Sequence, residues 1–172
     1  MKTAALGILM SLIATNVTHS CTTFVLKDSN DLVYGRNFDW DIGCGFIVIN
    51  KRAIEKQAFV QPPNKPAVWV SKFGSITFNQ IGVDAPMCGM NEKGLVIAQM
   101  GLFESRFADH DDRPVIGELE WIQYQLDTSA TLKEVIENNM NVRISPVAVP
   151  VHYMICDSLG NIAVIEIGRA HV

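Results

Sequence analysis

From Thr22 onward this chain never runs far without meeting a turn, and that spacing limits it to short strands folded back on one another. The β-rich runs are Thr22–Lys27, Leu32–Asn37, Phe46–Asn50, Val68–Phe73, Ser75–Gln80, Met87–Met90, Leu95–Met100, Val151–Cys156 and Ile162–Glu166. Turn residues separate them, among them Asp28-Ser29-Asn30-Asp31, Asn91-Glu92-Lys93-Gly94 and Asp157-Ser158-Leu159-Gly160. Turns this close favour antiparallel hairpins. A helical block interrupts the pattern: Pro114 suits a first helical turn, and Val115, Leu119, Ile122 and Leu126 recur at helical spacing. Thr131 with Glu134 then reads as a capping box opening a short helix, Leu132 to Asn139. Strands grouped on both sides of a helix pair predict an α+β fold built in layers. The sequence has no internal repeat, and the Pro-rich "QPPNKP" reads as an exposed loop rather than a linker.

The residues before Thr22 read as an export signal. Lys2 supplies a positive start, Ala4 to Ile13 an apolar stretch, and Thr18 and Ser20 are small residues at the positions a signal peptidase reads. Residues 1–20 are therefore expected to be removed, leaving Cys21 as the first residue of a single domain, 21–172. An apolar stretch of about ten residues is well short of the roughly 20 that span a bilayer, so no membrane span is expected. The processed chain is expected in the periplasm or outside the cell. Its net charge of −4 is spread along the sequence, with no basic cluster to suggest nucleic acid or an anionic membrane surface. A small molecule or peptide is the expected partner, and homo-oligomer formation is left open.

Four cysteines, Cys21, Cys44, Cys88 and Cys156, are too sparse for a disulfide scaffold. None sits in a CxxC pair, so no metal or other cofactor is expected. An oxidising compartment permits one bridge among Cys44, Cys88 and Cys156. Cys21 has three readings: a buried thiol in an edge strand, a lipid attachment point on an anchored binding protein, or a nucleophile. The lipid-attachment box normally wants leucine three residues before the cysteine, and Thr18-His19-Ser20 fits it poorly.

As a nucleophile, a free N-terminal cysteine carries its own base. An α-amine with an ordinary pKa of about 7.7–8.0 sits beside a thiol of about 8.5. The pair makes thiolate and moves protons without histidine, which suits acyl transfer. If Thr22–Lys27 and Leu32–Asn37 pair about Ser29-Asn30, Cys21 faces Phe38, one position from Asp39. A one-residue change of register brings Asp39 directly opposite. Arg36 lies within reach of a long side chain. A cation there favours thiolate, and a carboxylate orients the α-ammonium.

The stretch "CTTFVLKDSNDLVYGRNFDWD" resembles the start of the choloylglycine hydrolase family, the conjugated bile acid hydrolases and penicillin V acylases, within the N-terminal nucleophile hydrolases. "GMNEKGLVIAQMGLF" resembles the family's next block and "VHYMICDSLGNIAVIE" a later strand pair. The resemblance runs from Cys21 to about Glu166. It implies a four-layer αββα sandwich, of which this chain holds the N-terminal part, and hydrolysis of a linear carbon–nitrogen amide bond in an N-acyl substrate. Bile salt conjugates, penicillin V and N-acyl homoserine lactones are all compatible. Carried over by position, Cys21 is nucleophile and base, Arg36 the cation beside it, and Asp39 the partner of the α-amine. Where bile salt hydrolases place an asparagine after "NE-x-GL", this sequence has Gly101, whose backbone N–H remains a donor for an oxyanion. The family's later oxyanion asparagine and second active-site arginine fall beyond Val172.

Other polar residues read as structural. Arg36 and Asp39 without the cysteine would be a solvated ion pair. Asn91 is turn chemistry, Asp109 to Asp112 an exposed acidic loop before Pro114, and His152 a core histidine rather than a dyad partner. Trp40 lines the site entrance or packs under the hairpin. "EIGRAHV" ends the chain with no turn or partner strand after Ile162–Ile167, and it matches the translation of a common library adapter. Glu166–Val172 is therefore read as wholly or partly artefactual, with no functional weight on Arg169 or His171.

Overall fold

The computed structural model describes residues 21–29, 31–147, 150–167 and 169–171. The signal-peptide reading of residues 1–20 falls outside them. Strands β1 (Thr22–Lys27) and β2 (Leu32–Asn37) form a hairpin, followed by β3 (Phe46–Asn50), β4 (Glu55–Gln57) and β5 (Val68–Val70). Then come β6 (Ser75–Asn79), β7 (Pro86–Asn91), β8 (Val96–Gly101) and β9 (Val115–Gly117). Helices α1 (Glu118–Thr128) and α2 (Leu132–Asn139) lead to β10 (Arg143–Ser145), β11 (Val151–Cys156), β12 (Ile162–Glu166) and β13 (Arg169–His171). Seven strands make one sheet in the order β13-β12-β11-β8-β7-β6-β3, and every pairing in it is antiparallel. Among the described residues no helix is long and apolar enough to cross a membrane.

One face of this sheet takes the helices. A Cβ added to Gly89 would meet Thr77 Cγ2 at 2.6 Å and the Ile76 carbonyl oxygen at 2.8 Å on β6 as well as Leu126 of α1 at 2.9 Å, so this crowded point of β7 under the helix takes glycine. Trp121 stacks on Tyr153 with ring centroids 4.3 Å apart, and Leu95, Ile97, Ile122, Leu126, Ile155 and Ile165 are fully buried around them. Strand residues alternate faces, so Met100 and His152, opposite one another, point away from the helices. Thr23 Oγ1 donates to Met100 Sδ at 3.1 Å, which places the β1–β2 hairpin on that far side.

The helix begins later than Pro114. Val115–Gly117 is a strand, parallel to β10, because its backbone is already engaged: Val115 N–H donates to Lys65 O and Val115 O accepts from Ala67 N–H. Glu120 closes the start of α1, accepting from Gly117 N–H at 3.1 Å and Phe59 N–H at 2.7 Å. Helix α2 starts where the capping pattern sets it, Thr131 Oγ1 accepting from Glu134 N–H, though the Glu134 carboxylate reaches back to Ala130 N–H. After β12 the backbone of Arg169–His171 supplies the partner strand that the sequence reading lacks there.

Two turns tie the sheet to the helices. Asn91 is buried and uses all its capacity, donating to Leu126 O and Ser129 O and accepting from Lys93 N–H and Leu95 N–H. Asp157 is buried between β11 and β12 and accepts from Leu132 N–H, Leu159 N–H, Asn161 N–H and Asn161 Nδ2. Burial pushes its carboxyl up, but these hydrogen bonds outweigh burial and hold it below the ordinary value. A carboxyl held low stabilises the fold above its unfolded pKa of about 4 and loses that contribution as pH falls through the folded value. Asp157→Asn should therefore cost about 2–3 kcal/mol at pH 7 in urea unfolding, with the gap to the native protein narrowing below about pH 4. An equal gap at pH 7 and pH 3 would sink this account.

Candidate active site

The hairpin has the register that centres on Ser29-Asn30: Thr22 pairs with Asn37, Thr23 with Arg36 and Lys27 with Leu32. Continued one step, it sets Cys21 opposite Phe38. Cys21, Thr23, Arg36 and Phe38 therefore share the face turned toward the sheet. Asp39 does not join them. It is half-buried and accepts from Asn37 Nδ2 at 3.0 Å, and it makes no ion pair with Arg36.

Arg36 is held without a carboxylate. Its Nη1 donates to Met87 O at 2.6 Å and its Nη2 to Gln99 O at 2.9 Å, while its guanidinium lies 4.3 Å from the Phe38 ring centroid. Phe38 stacks on Trp40 at 6.1 Å, so cation and two rings form one row that ends at the half-exposed Trp40. This row walls a cavity of about 590 Å³ whose other sides include Ile47, Phe78 and Met87. Trp40 thus lines this cavity. Tyr34, on the same hairpin face, donates to Met154 O at 3.1 Å. Burial pushes its hydroxyl far above the ordinary value, against the pull of Arg36, so it stays a donor.

Gly101 ends β8 beside Met100 and pairs with Val151. It is exposed, and a Cβ added there would meet nothing within 4 Å. His152 is half-buried opposite Met100 and Glu166, and burial lowers its pKa while Glu166 pulls it up. All four cysteines are free: Cys156 is buried, Cys21 and Cys88 half-buried, Cys44 exposed. The acidic loop before Pro114 is exposed, and its Asp111 pairs with Arg113 at 2.6 Å. No group of His, Cys, Asp or Glu among the described residues has a metal-holding arrangement. The sequence reading missed Met87 and Gln99, whose contribution is backbone carbonyl oxygen and leaves no residue signature. Pro86, immediately before the β-rich run Met87–Met90, is the available hint of an irregular strand.

Residues 21–171 match the model of the linear amide C–N hydrolases, choloylglycine hydrolase family. The chain belongs to that family. A penicillin V acylase from Pectobacterium atrosepticum is 26% identical over 183 residues, covering 94% of this chain and 48% of the relative. The solved penicillin V acylase of Agrobacterium tumefaciens superposes with a TM-score of 0.71 at 29% identity, over 88% of this chain and 48% of that one. A variant of the conjugated bile acid hydrolase of Clostridium perfringens gives 0.67 at 21% identity, over 86% and 47%. The chain thus spans about half the length of the relatives it matches. Its fold is the α+β architecture of the N-terminal nucleophile hydrolases. The described residues build one helical layer, the sheet beneath it and a hairpin on the facing side.

The open space at Gly101 has a direct consequence for the family comparison. An asparagine side chain fits there, so Gly101→Asn should leave the melting temperature within about 3 °C of the native value. A fall of about 10 °C would show crowding that the structure does not contain.

Proposed function

We propose that this chain carries the nucleophile end of an exported amide hydrolase, with Cys21 exposed as the first residue by removal of residues 1–20. The thiolate of Cys21 attacks the acyl carbon of an N-acyl amide, and the carbonyl π-electrons move onto oxygen. Gly101 N–H is a donor for that oxyanion. When the C–N bond breaks, the α-ammonium gives its proton to the leaving nitrogen. A thioester remains, and water activated by the same amine releases the acid. Arg36 stabilises the thiolate. Periplasmic or extracellular location follows from the export reading.

One observation carries this reading: the hairpin places Cys21 on the same face as an arginine held by two backbone carbonyls, beside an apolar cavity. The cavity suits the acyl half of the substrate, because its walls are aromatic and aliphatic and burial of apolar area is favourable there. Bile salt conjugates, penicillin V and N-acyl homoserine lactones all carry acyl groups of that kind. The likeness to penicillin V acylases supports phenoxyacetyl-type amides as the first substrates to try.

In the intact protein, Cys21→Ser should lower kcat/KM for amide hydrolysis by at least about a thousandfold. Adding one residue before Cys21 should do nearly the same, since the base becomes an amide nitrogen. Near-native turnover by the serine variant would remove Cys21 as nucleophile, and full activity of the extended form would remove the amine as base.

A further inference from the structure

Arg36 occupies a place where the sheet ought to have a rung. Strands β7 and β8 pair through Met90↔Val96, Gly89↔Ile97 and Cys88↔Ala98, and the next pair in that register is Met87 with Gln99. That pair is not made. Along β6 the register runs Phe78↔Cys88 and then jumps to Asn79↔Pro86, so Met87 is the extra residue of a β-bulge. Pro86 has no N–H with which to resume the ladder. The two strands fork, and the carbonyls of Met87 and Gln99, left without ladder partners, both accept from the Arg36 guanidinium. Gln99 Nε2 reaches Met87 Sδ at 3.4 Å and bridges the prongs. Both residues are buried.

Neutral acceptors do something that a carboxylate cannot. A bidentate carboxylate would orient the guanidinium but cancel most of its field at the neighbouring thiol. Two carbonyl oxygens fix the same planar fork and leave the net charge intact. Among the described residues Arg36 has no ion-pair partner, and its guanidinium lies over the Phe38 ring.

We propose that the Pro86–Met87 bulge is a positioning device for the reaction: by breaking the β7–β8 ladder it supplies the two carbonyls that hold Arg36 on the face of Cys21 with its charge uncancelled. The proposal rests on the reading of Cys21 as the reacting thiol. Pro86 and Met87 touch no reacting atom and act only through Arg36.

The test reads local charge at Cys21 and needs no turnover. Iodoacetate and iodoacetamide alkylate the same thiol and differ by one negative charge. Their rate ratio at Cys21, followed by mass spectrometry of the Cys21 peptide in the intact protein, reports the nearby cation. Relative to the native protein, the iodoacetate/iodoacetamide ratio should fall about three- to tenfold in Arg36→Met. Pro86→Ala, which restores an N–H at the bulge, should fall to a similar ratio, with kcat reduced and KM within about twofold. Arg36→Lys keeps the charge but cannot span both carbonyls, and it should also fall well below native. A native ratio in folded Pro86→Ala overturns the proposal. So does a native ratio in Arg36→Lys, which decides the matter if the proline variant does not fold. Loss of the ratio effect with amide hydrolysis intact would sink the device alone. An intact ratio effect with active Cys21→Ser would sink the hydrolase reading and leave the fork standing.

Discussion

The end of α1 is where this structure is tied together. The last carbonyls of a helix have no partners within it, and here no basic residue lies in the last turn to help. Asn91 takes two of these carbonyls, Leu126 O and Ser129 O, and the backbone N–H groups of Lys72 and Phe73 take Asp127 O. The Asp127 side chain points the wrong way for the helix dipole, a carboxylate at the negative end. It is buried all the same, because Lys56 Nζ at 2.9 Å, Trp69 Nε1 at 2.8 Å and Gln123 Nε2 at 2.9 Å surround it. Removing any one partner would strand a charge or a donor in the core, so the cluster stands as a unit.

Strand β7 carries this anchorage to Arg36. It ends at Asn91, in the helix anchor, and begins at Pro86, in the fork that holds Arg36. Six residues thus connect the helical layer to the hairpin that presents Cys21. Glycine at position 89 lets Leu126 press on the middle of the strand, which fixes its height against the helix. A cation positioned this way inherits the rigidity of the core, whereas one positioned by a surface carboxylate would share the mobility of its partner.

What could be read from the sequence follows from how local each determinant is. The limits of β1, β2, β3, β11 and β12 match the β-rich runs residue for residue, because the turns beside them are written in Asp, Asn, Ser and Gly. Helix α2 is equally legible, since its cap and its first turn are neighbours in sequence. Val115–Gly117 is different: three apolar-to-small residues after a proline suit a helix start, and only Lys65, Ala67 and Arg143, far away in sequence, make them a strand. The candidate site divides the same way. Cys21 and Arg36 come from one hairpin and fall on one face by its register, but Asp39 turns to Asn37 across the end of the strand. The carbonyls of Met87 and Gln99 have no side-chain chemistry to announce them.

The sheet's far face explains why a site forms here at all. The hairpin covers the β8–β11 part of that face, leaving Ile47, Ile49, Ile76, Phe78 and Met90 exposed on β3, β6 and β7. In a four-layer sandwich such a face packs against a second sheet, and helices on the opposite side of this sheet are consistent with that order. The cavity floor is cut from the same surface, since Ile47 and Phe78 line it. Apolar area in contact with water costs about 25 cal/mol per Å². A ring or chain seated over these residues therefore gains from the same term that would drive the layers together. The face has two parts: its outer part suits a packing layer, and the part next to Arg36 forms the cavity walled by the Phe38–Trp40 row. The guanidinium at the inner end of the row is held by the fork. The place of Arg36 in that wall therefore depends on one irregularity in β7.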